Sequence, residues 1–289
     1  MSHTPIHCTV NPSLYRFECK PVEKAETRKQ VAVVGAGPAG CEAALTASKR
    51  GHQVTIYEKR CIGGAMIEAS KPENKANIKR LIHYYEDHIM HDPNITLVKE
   101  EVEYETLVHS GYDAVIIAVG GKTRILNVPG IEKNSVIYAS DYLNGSTAVT
   151  GNTVVVIGGG ITGAETALEL NAEGKKVTIV EMTDAFLANF SSACQAYLAT
   201  INETDIKILT GKRLTAVHEN NVILTDRWGN ETTVPADSVV IAAGFTRQNE
   251  LSDKLEENTD MQVFNVGDSK RVRQIYDAIH EGFIAARQI

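Results

Sequence analysis

The spacing of apolar residues along the chain alternates between short β-branched runs and longer stretches with helical periodicity. Apolar runs of four residues predict buried parallel strands, and the Ala-, Leu- and Glu-rich stretches between them predict amphipathic helices. The predicted strand–helix–strand units are Val31–Val34, Ala39–Arg50 and Val54–Tyr57 in a first copy, and Val154–Ile157, Thr162–Ala172 and Val177–Val180 in a second. The pattern therefore predicts two βαβ units.

The two copies align residue by residue when the sequence is shifted by 123 positions. In the first copy the matched residues are Gly35, Gly37, Gly40, Glu42, Leu45, Gly51, Val54, Thr55, Ile56 and Glu58. In the second copy they are Gly158, Gly160, Gly163, Glu165, Leu168, Gly174, Val177, Thr178, Ile179 and Glu181. Such agreement indicates an internal repeat in which each copy is a complete supersecondary unit.

Each copy carries a Gly-x-Gly-x-x-Gly turn between its first strand and its helix. Alone, that motif is weak, because many glycine-rich turns are purely structural. Here an acidic residue, Glu58 or Glu181, follows 23 positions after the first glycine and ends the second strand. This context is typical of dinucleotide binding, in which glycines allow close approach of a pyrophosphate and the helix N-terminus favours its negative charge.

The strand-end acids also bear on the choice of nucleotide. A carboxylate accepts hydrogen bonds from ribose hydroxyls and repels the 2′-phosphate of NADP, so Glu181 favours NADH in the second copy. Met182 and Thr183 supply no cation for a 2′-phosphate. The alternative is that Glu181 is only a solvated residue at the end of a strand.

A second repeated element follows each βαβ unit. Residues 112–120 and 236–244 each carry an acidic residue at the second position, Asp113 or Asp237, continue as a hydrophobic strand and end in small residues that include Ala and Gly. A strand with such an exit brings bare backbone to the carboxyl edge of a parallel sheet, where ligands bind in open α/β folds. A purely structural reading of these small residues stays open.

Composition and charge narrow the class of protein. The net charge is −7, and no basic cluster of the kind that attracts phosphate backbones is present, so we expect no nucleic-acid partner. No stretch reaches the ~18 apolar residues of a membrane span, and residues 1–11 do not read as a secretory signal, so we expect a cytoplasmic protein without membrane contact. Five scattered cysteines without a Cys-x-x-Cys pair favour a reducing compartment.

Together these residues resemble the two-dinucleotide flavoproteins related to glutathione and thioredoxin reductases. Val263–Asp268 is similar to the final strand of that family, whose Gly-Asp pair places an aspartate against the ribityl chain of FAD, and Ile275–Arg287 to the helix closing the flavin site. The resemblance implies an α/β fold of two Rossmann-like, glutathione-reductase-like three-layer domains, the second inserted in the first. It places an FAD domain at 27–131 and 255–289, an NADH domain at 132–254 and a separate N-terminal segment at 1–26.

The resemblance also implies the binding residues. For FAD they are Gly35, Gly37, Pro38, Ala39, Gly40, Glu58, Lys59, Gly63, Gly64, Val102, Ala118, Gly120, Gly267, Asp268 and Ile275. For NADH they are Gly158, Gly160, Ile161, Thr162, Gly163, Glu165, Glu181, Ala243 and Gly244. Glu165 matches a glutamate that disulfide reductases hold near the nicotinamide, and no side chain is expected to act as acid, base or nucleophile.

A narrower resemblance lies in Cys8-Thr9-Val10-Asn11-Pro12. It is similar to the segment that carries the last iron–sulfur cysteine in 2,4-dienoyl-CoA reductases, trimethylamine dehydrogenases and enoate reductases. Those enzymes begin with an old-yellow-enzyme-like FMN barrel and three further cluster cysteines that are absent here, so Cys8 alone cannot build the cluster and no metal site is expected. The resemblance implies the C-terminal half of such an enzyme. Alternatively, Cys8 is an incidental thiol.

The leading hypothesis is a module that passes hydride from NADH, with NADPH less favoured, to FAD, and feeds an FMN and iron–sulfur barrel that reduces an activated alkene. A stand-alone NADH oxidase or ferredoxin-type reductase is a second reading, and a non-catalytic nucleotide-binding domain is a third. His83, His88 and His91 lie on or just after a predicted helix at Asn77–Met90 and could suggest a metal site, but a solvated helical face explains them better. Cys61 beside the first copy is expected to pack rather than react.

Overall fold

The computed structural model describes residues 7–14, 21–72, 75–188 and 192–289. The first elements in the chain are β1 (Gln30–Val34), α1 (Pro38–Arg50), β2 (Gln53–Tyr57), α2 (Met66–Ala69), α3 (Ala76–His91), β3 (Ile95–Val98), α4 (Tyr104–His109), β4 (Ala114–Ile117) and β5 (Gly121–Thr123). They are followed by β6 (Val136–Tyr138), α5 (Ala139–Leu143), β7 (Thr153–Ile157), α6 (Ile161–Ala172), β8 (Lys176–Val180), α7 (Ser192–Asn202), β9 (Lys207–Leu209), β10 (Lys212–Val217), β11 (Asn221–Asp226), β12 (Glu231–Pro235) and β13 (Ser238–Ile241). The last elements are β14 (Phe245–Arg247), α8 (Glu250–Asn258), β15 (Gln262–Asn265), a 3₁₀ turn (Gly267–Ser269) and α9 (Ile275–Gln288).

The chain divides into two compact units. The first unit comprises Met1–Lys122 and Phe245–Ile289, and the second comprises Thr123–Gly244. Both transitions come earlier in the chain than the boundaries at 131/132 and 254/255 that the sequence suggests. The second one differs because α8 belongs to the first unit, where Leu255 is fully buried and Asn265 Nδ2 donates a hydrogen bond of 2.8 Å to Ser252 Oγ.

The first unit is a three-layer α/β domain around five parallel strands in the order β15-β4-β1-β2-β3. Successive side chains of β1 point to opposite faces, and both faces are buried. Val31 and Val33 pack with α1, α3 and α9, whereas Ala32 and Val34 pack with residues of α4 and α8. Because β1 lies at the centre of the sheet and is covered on both faces, its residues form a continuous apolar run.

The second unit repeats this plan with one change of layer. Its parallel sheet has the order β6-β13-β7-β8-β9. Val154 and Val156 of β7 pack with α5, α6 and α7, while Val155 and Ile157 pack against the antiparallel sheet β10-β11-β12. The predicted α/β fold of Rossmann-like units with parallel sheets is confirmed, and the outer layer on one side of the second unit is a sheet. None of the helices in the described part of the chain has the length and apolarity that a bilayer crossing requires.

Helix α1 contacts α9 so closely that the crossing requires glycine. A Cβ atom added at Gly282 of α9 would lie 2.1 Å from the carbonyl oxygen of Ala39 in α1. Backbone atoms at such a crossing cannot move aside as a flexible side chain can. The contact matters for the site described below, because Ala39 lies in the first turn of α1, within the glycine motif.

Helix α1 also buries a carboxylate. Tyr85 Oη and Thr46 Oγ1 each donate a hydrogen bond of 3.3 Å to the carboxylate of Glu42. Burial nevertheless raises the pKa of Glu42 above its ordinary value, because desolvation of the charged form outweighs these donors. The folded protein therefore binds a proton at Glu42 more tightly than the unfolded chain does.

We expect Gly282→Ala to lower the free energy of unfolding by about 1–3 kcal/mol, because the new methyl group overpacks the α1–α9 crossing. Urea denaturation followed by circular dichroism measures the change. Ile284→Ala is the matched control on the same helix, since that side chain is partly exposed and its loss should change stability much less. Equal effects of the two substitutions would contradict the tight crossing.

We expect Glu42→Gln to stabilise the protein relative to the parent more at about pH 7.5 than at about pH 4. The raised pKa in the folded state means that the parent loses stability as pH rises through the interval between the unfolded and folded pKa values, whereas glutamine does not titrate. Urea denaturation at the two pH values measures the difference. Glu256→Gln, at an exposed position of α8, should show a smaller dependence on pH, and an unchanged Glu42→Gln difference would argue against burial of an ionised carboxylate.

Candidate functional site

The turn between β1 and α1 approaches its neighbours so closely that side chains are excluded. Gly35 has φ +99°, and a Cβ atom there would lie 2.4 Å from the carbonyl oxygen of Ala118. At Gly40, a Cβ atom would lie 1.9 Å from the carbonyl oxygen of Gly35. The helix begins at Pro38, so its first N–H groups face the open side of this turn. We call the turn with its strand-end carboxylate the first cradle.

The carboxylate of Glu58, at the end of β2, is held by the backbone on both sides. Its Oε2 accepts the Ala36 N–H at 2.8 Å, and its Oε1 accepts the Arg60 N–H at 2.7 Å. Each carboxylate oxygen can accept more than one hydrogen bond, so capacity remains for hydroxyl groups of a ligand. The arrangement suits ribose hydroxyls next to a diphosphate on the helix N-terminus.

A second glycine-rich turn packs against the first. Gly63 N–H donates a hydrogen bond of 2.8 Å to the carbonyl oxygen of Ala36, and Gly64 has φ +53°. A Cβ atom at Gly64 would lie 2.8 Å from Gly37 Cα. The structure therefore brings the two predicted glycine-rich segments, 35–40 and 63–64, into direct backbone contact.

The second unit builds the same arrangement with the same dimensions. Gly158 has φ +119°, and a Cβ atom there would lie 2.3 Å from the carbonyl oxygen of Ala242, while one at Gly163 would lie 1.9 Å from that of Gly158. Glu181 Oε2 accepts the Gly159 N–H at 2.7 Å. Its Oε1 accepts the Thr183 N–H at 2.7 Å and the Thr183 hydroxyl at 2.8 Å. This turn and carboxylate form the second cradle.

The second cradle opens into a cavity of about 250 Å³. Its lining includes Gly159, Gly160, Ile161, Glu181, Thr183, Ala185, Leu187, Ala188 and Cys194. Leu187 has φ +48°, a region that a leucine adopts only when the surroundings hold it there, and its N–H donates 2.9 Å to the carbonyl oxygen of Gly159. Sequence reasoning missed this residue, since a leucine in a loop gives no signal of left-handed backbone.

The C-terminal part of the first unit adds charged groups. Gly267 N–H donates 2.8 Å to Glu281 Oε2, and the Arg273 guanidinium pairs with the carboxylates of Glu281 and Asp277. Asp268 Oδ1 accepts the Arg273 N–H at 3.0 Å, and burial raises the pKa of Asp268 above its ordinary value. Helix α9 begins at the predicted Ile275. Gly267 lies beside the first cradle, because a Cβ atom there would be 3.1 Å from Ala39 Cβ.

Other predicted residues have structural partners of their own. Lys59 Nζ forms an exposed ion pair of 2.7 Å with Glu101, and Val102 is buried among apolar side chains on the α4 side of the sheet. Tyr197 Oη donates a hydrogen bond of 2.5 Å to Glu165 Oε1. The remaining predicted residues Thr162, Gly120, Ala243 and Gly244 follow a glycine turn or a strand end, as the repeat requires.

The cysteines in the described part of the chain do not resemble a redox-active pair. Cys8, Cys41, Cys61 and Cys194 are all free thiols. Cys41 is fully buried in α1, its Sγ donates to the carbonyl oxygen of Ala36 at 3.1 Å, and burial raises the pKa of its thiol. A thiol with a raised pKa is a poor nucleophile, so Cys41 packs rather than reacts.

The described N-terminal residues contact α9 of the first unit. His280 Nε2 donates a hydrogen bond of 2.9 Å to the carbonyl oxygen of Cys8, and its ring lies 4.0 Å from that of Tyr276. Within residues 7–14, 21–72, 75–188 and 192–289, no group of three or more His, Cys, Asp or Glu side chains could hold a metal ion. His88 and His91 of α3 each donate a hydrogen bond of 2.8 Å from Nδ1 within their own helix, to the carbonyl oxygens of Tyr84 and Asp87 respectively.

Known proteins resemble this chain in sequence and in fold. The family model described as "Pyridine nucleotide-disulphide oxidoreductase" matches residues 29–282. The chain is 31% identical over 292 residues to a cinnamate reductase of Clostridium sporogenes, and the aligned region covers 98% of this chain and 43% of that protein. It is 35% identical over 292 residues to an NADH oxidase of Thermoanaerobacter brockii, spanning 98% of this chain and 44% of that protein. The chain thus covers less than half the length of these relatives.

Solved structures give the same result. A 2-naphthoyl-CoA reductase in complex with 2-naphthoyl-CoA superposes with a TM-score of 0.84 at 30% identity, over 93% of this chain and 41% of that one. A thioredoxin reductase of T. acidophilum superposes with a TM-score of 0.71 at 27% identity, over 90% of this chain and 97% of that one.

These matches identify an NAD(P)H-dependent flavin oxidoreductase module with FAD- and NAD(P)-binding Rossmann units. The two cradles fit these groups, since each glycine turn packs bare against its own sheet and a strand-end carboxylate lies at the turn, where it can meet a ribose. The chain belongs to the pyridine nucleotide-disulphide oxidoreductase family.

Proposed function

We propose that the first cradle binds FAD, that the second binds NADH, and that hydride passes from the nicotinamide to the flavin. The observation that carries this proposal is the duplicated geometry: in each unit a strand-end carboxylate accepts a glycine-turn N–H, at 2.8 Å for Glu58 and 2.7 Å for Glu181. Two matched cradles in one chain provide for two adenine dinucleotides, and the family binds FAD and a pyridine nucleotide.

The first unit is the FAD unit because it alone has the C-terminal segment that returns to its cradle. Gly267 packs against Ala39 of α1, and Asp268 follows at a buried position next to the start of α9. Asp268 Oδ1 accepts the Arg273 N–H at 3.0 Å, and the remaining lone pairs of the carboxyl group can accept hydrogen bonds from ligand hydroxyl groups. This supports the assignment of Asp268 to the ribityl hydroxyls of FAD and of Ile275 to the ring system.

The charges around the second cradle favour NADH over NADPH. A 2′-phosphate would meet the Glu181 carboxylate, which three protein donors hold in place. The Arg227 guanidinium is paired with Asp184, which lies between the cavity-lining residues Thr183 and Ala185. Repulsion between like charges in a partly buried cavity costs more than in water.

FAD, when bound, would supply the chemistry, because its ring system can accept a hydride from reduced nicotinamide. The protein supplies position. The glycine turns fix the diphosphates, Glu58 and Glu181 fix the riboses, and Glu165 with Tyr197 lies one helical turn inside α6, where it could hold the carboxamide. Cys41 takes no part, since its buried thiol is protonated at neutral pH.

The electrons would leave through a further domain in the whole protein. The chain spans 43–44% of the relatives named cinnamate reductase and NADH oxidase, so those proteins contain a large additional part. We propose that this part is an FMN and iron–sulfur barrel, and that the terminal substrate is an activated alkene such as an α,β-unsaturated acyl compound. The relatives named cinnamate reductase and 2-naphthoyl-CoA reductase support a conjugated acceptor.

A second candidate is direct oxidation of NADH by oxygen, which the relative named NADH oxidase favours. The two candidates share the first half-reaction and differ in the acceptor. Oxygen consumption by the FAD-loaded chain alone, compared with reduction of a conjugated enoate by the full-length protein, separates them.

We expect Gly40→Ala and Gly163→Ala to separate the two cofactors. Each new Cβ atom would lie 1.9 Å from a carbonyl oxygen of its own turn. Gly40→Ala should weaken retention of FAD by about ten-fold or more, whereas Gly163→Ala should keep the yellow colour but slow anaerobic bleaching of the flavin by NADH by a similar factor. Visible absorbance before and after NADH addition measures both.

Circular dichroism of both variants controls for folding of the unaltered unit. Loss of flavin from Gly163→Ala with normal NADH binding in Gly40→Ala would reverse the assignment of the two cradles. Parent protein that takes up no flavin, or whose flavin NADH does not bleach, would end the proposal.

We expect Glu181→Gln to lower the ratio of kcat/KM for NADH to that for NADPH by about ten-fold or more. The substitution removes the charge that repels a 2′-phosphate while glutamine Oε1 can still accept the Gly159 N–H. Glu203→Gln, an exposed carboxylate of the same unit, is the matched control and should leave the ratio unchanged. An unaltered ratio in Glu181→Gln would show that this carboxylate does not choose the nucleotide.

A further inference from the structure

The hairpin between β11 and β12 ends at the same edge of the second unit as the second cradle. Lys212, the first residue of β10, donates its N–H to the carbonyl oxygen of Glu181 at 3.1 Å. Lys212 is also the cross-strand partner of Asp226, the last residue of β11. The hairpin tip, residues 227–230, therefore lies beside the strand end that carries the ribose-binding carboxylate.

The shape of the tip is fixed by Asp226. Its Oδ1 accepts the N–H groups of Trp228 and Asn230, both at 2.9 Å, and its Oδ2 accepts Asn230 Nδ2 at 3.0 Å. Gly229 completes the turn with φ +87°. These internal hydrogen bonds fix the backbone of the turn before any ligand arrives, which lowers the entropic cost of binding.

The residue presented is Trp228, the only tryptophan in the sequence, and it is 76% exposed. The Arg227 guanidinium carbon lies 5.1 Å from the centroid of its ring, and the same guanidinium forms an ion pair with Asp184. Asp184 lies between Thr183 and Ala185, which both line the cavity of the second cradle. The ion pair thus ties the tryptophan to the wall of that cavity.

A second large apolar side chain is exposed at this edge. Met182, which directly follows Glu181, is 70% exposed. Exposure of a tryptophan and a methionine next to a nucleotide cradle leaves apolar surface in water where an aromatic ligand would cover it. The bases of nucleotides stack on such side chains without requiring a particular hydrogen-bond pattern.

We propose that Trp228 is a binding residue for the adenine ring of the dinucleotide whose ribose Glu181 holds. The inference rests on the proposed function, because it takes that dinucleotide as the ligand of the second cradle. The ring of Trp228 stacks on the base, Arg227 lies on the ring and is held by Asp184, and the nicotinamide half is not touched by the hairpin. Trp228 therefore contributes to affinity for the adenosine half and not to the reaction.

The fluorescence of Trp228 tests the contact directly, because no other tryptophan contributes. In the FAD-loaded protein, titration with AMP or ADP-ribose should quench or shift the emission with saturation, while nicotinamide mononucleotide at the same concentrations should not. Saturable binding of ADP-ribose, detected by calorimetry, with no change in emission would overturn the proposal.

Substitution gives a second, independent readout. Trp228→Ala should raise KM for NADH by about ten-fold with kcat for flavin reduction unchanged, and Trp228→Phe should retain part of the affinity. With reduced nicotinamide mononucleotide, which has no adenosine, parent and Trp228→Ala should have equal kcat/KM. Ile125→Ala, which removes another exposed apolar side chain of the same unit, is the matched control and should leave KM for NADH unchanged.

The outcomes separate this inference from the proposed function. If NADH bleaches the flavin of Trp228→Ala with the KM of the parent, the adenine contact is wrong and the cofactor assignment stands. An equal loss of affinity for NADH and for reduced nicotinamide mononucleotide would also overturn it, as a general distortion of the unit. If NADH does not reduce the flavin of the parent protein, the proposed function itself fails.

Discussion

The structure depends on one constraint, the approach of a glycine turn to the backbone of its own sheet. In each unit the first glycine of the motif lies against the carbonyl end of the neighbouring strand, and the third lies against the carbonyl oxygen of the first. Any Cβ atom at these positions would come within 2.4 Å of a backbone oxygen. Because the turn is bare, the N–H groups at the start of α1 and α6 are open to an anionic diphosphate, and the strand-end carboxylate can reach back to the turn.

From this common cradle the two units diverge in what surrounds it. The first unit returns its C-terminus to the cradle through the Gly267–Ser269 turn and α9, whose crossing with α1 leaves no space for a methyl group at Gly282. The second unit instead covers one face of its sheet with β10-β11-β12 and brings a hairpin tip to the ligand edge. We interpret the first arrangement as suited to retaining a resident cofactor and the second as suited to a nucleotide that exchanges.

Much of this could be predicted from sequence, because the repeat carries the information. The match of Gly35–Glu58 with Gly158–Glu181 was sufficient to predict both βαβ units and their strand-end carboxylates. The second repeated element, offset by 124 positions, pairs Asp113 with Asp237, which accept backbone N–H groups at the starts of β1 and β7 at 2.7 and 2.8 Å. Features without a counterpart in the other copy could not be predicted from the sequence. They include the left-handed backbone of Leu187, the hairpin that presents Trp228 and the position of α8. These features depend on tertiary contacts rather than on a local sequence pattern.

The central claim is that the two cradles hold different dinucleotides at the same time, and equilibrium titration tests it most directly. FAD-loaded protein, freed of excess flavin by gel filtration, is titrated with NAD⁺ while bound and released flavin are followed by fluorescence. We predict saturable binding of NAD⁺ at a stoichiometry equal to that of FAD, with no flavin released. Displacement of FAD by NAD⁺, or absence of NAD⁺ binding to protein that retains its flavin, would contradict the account.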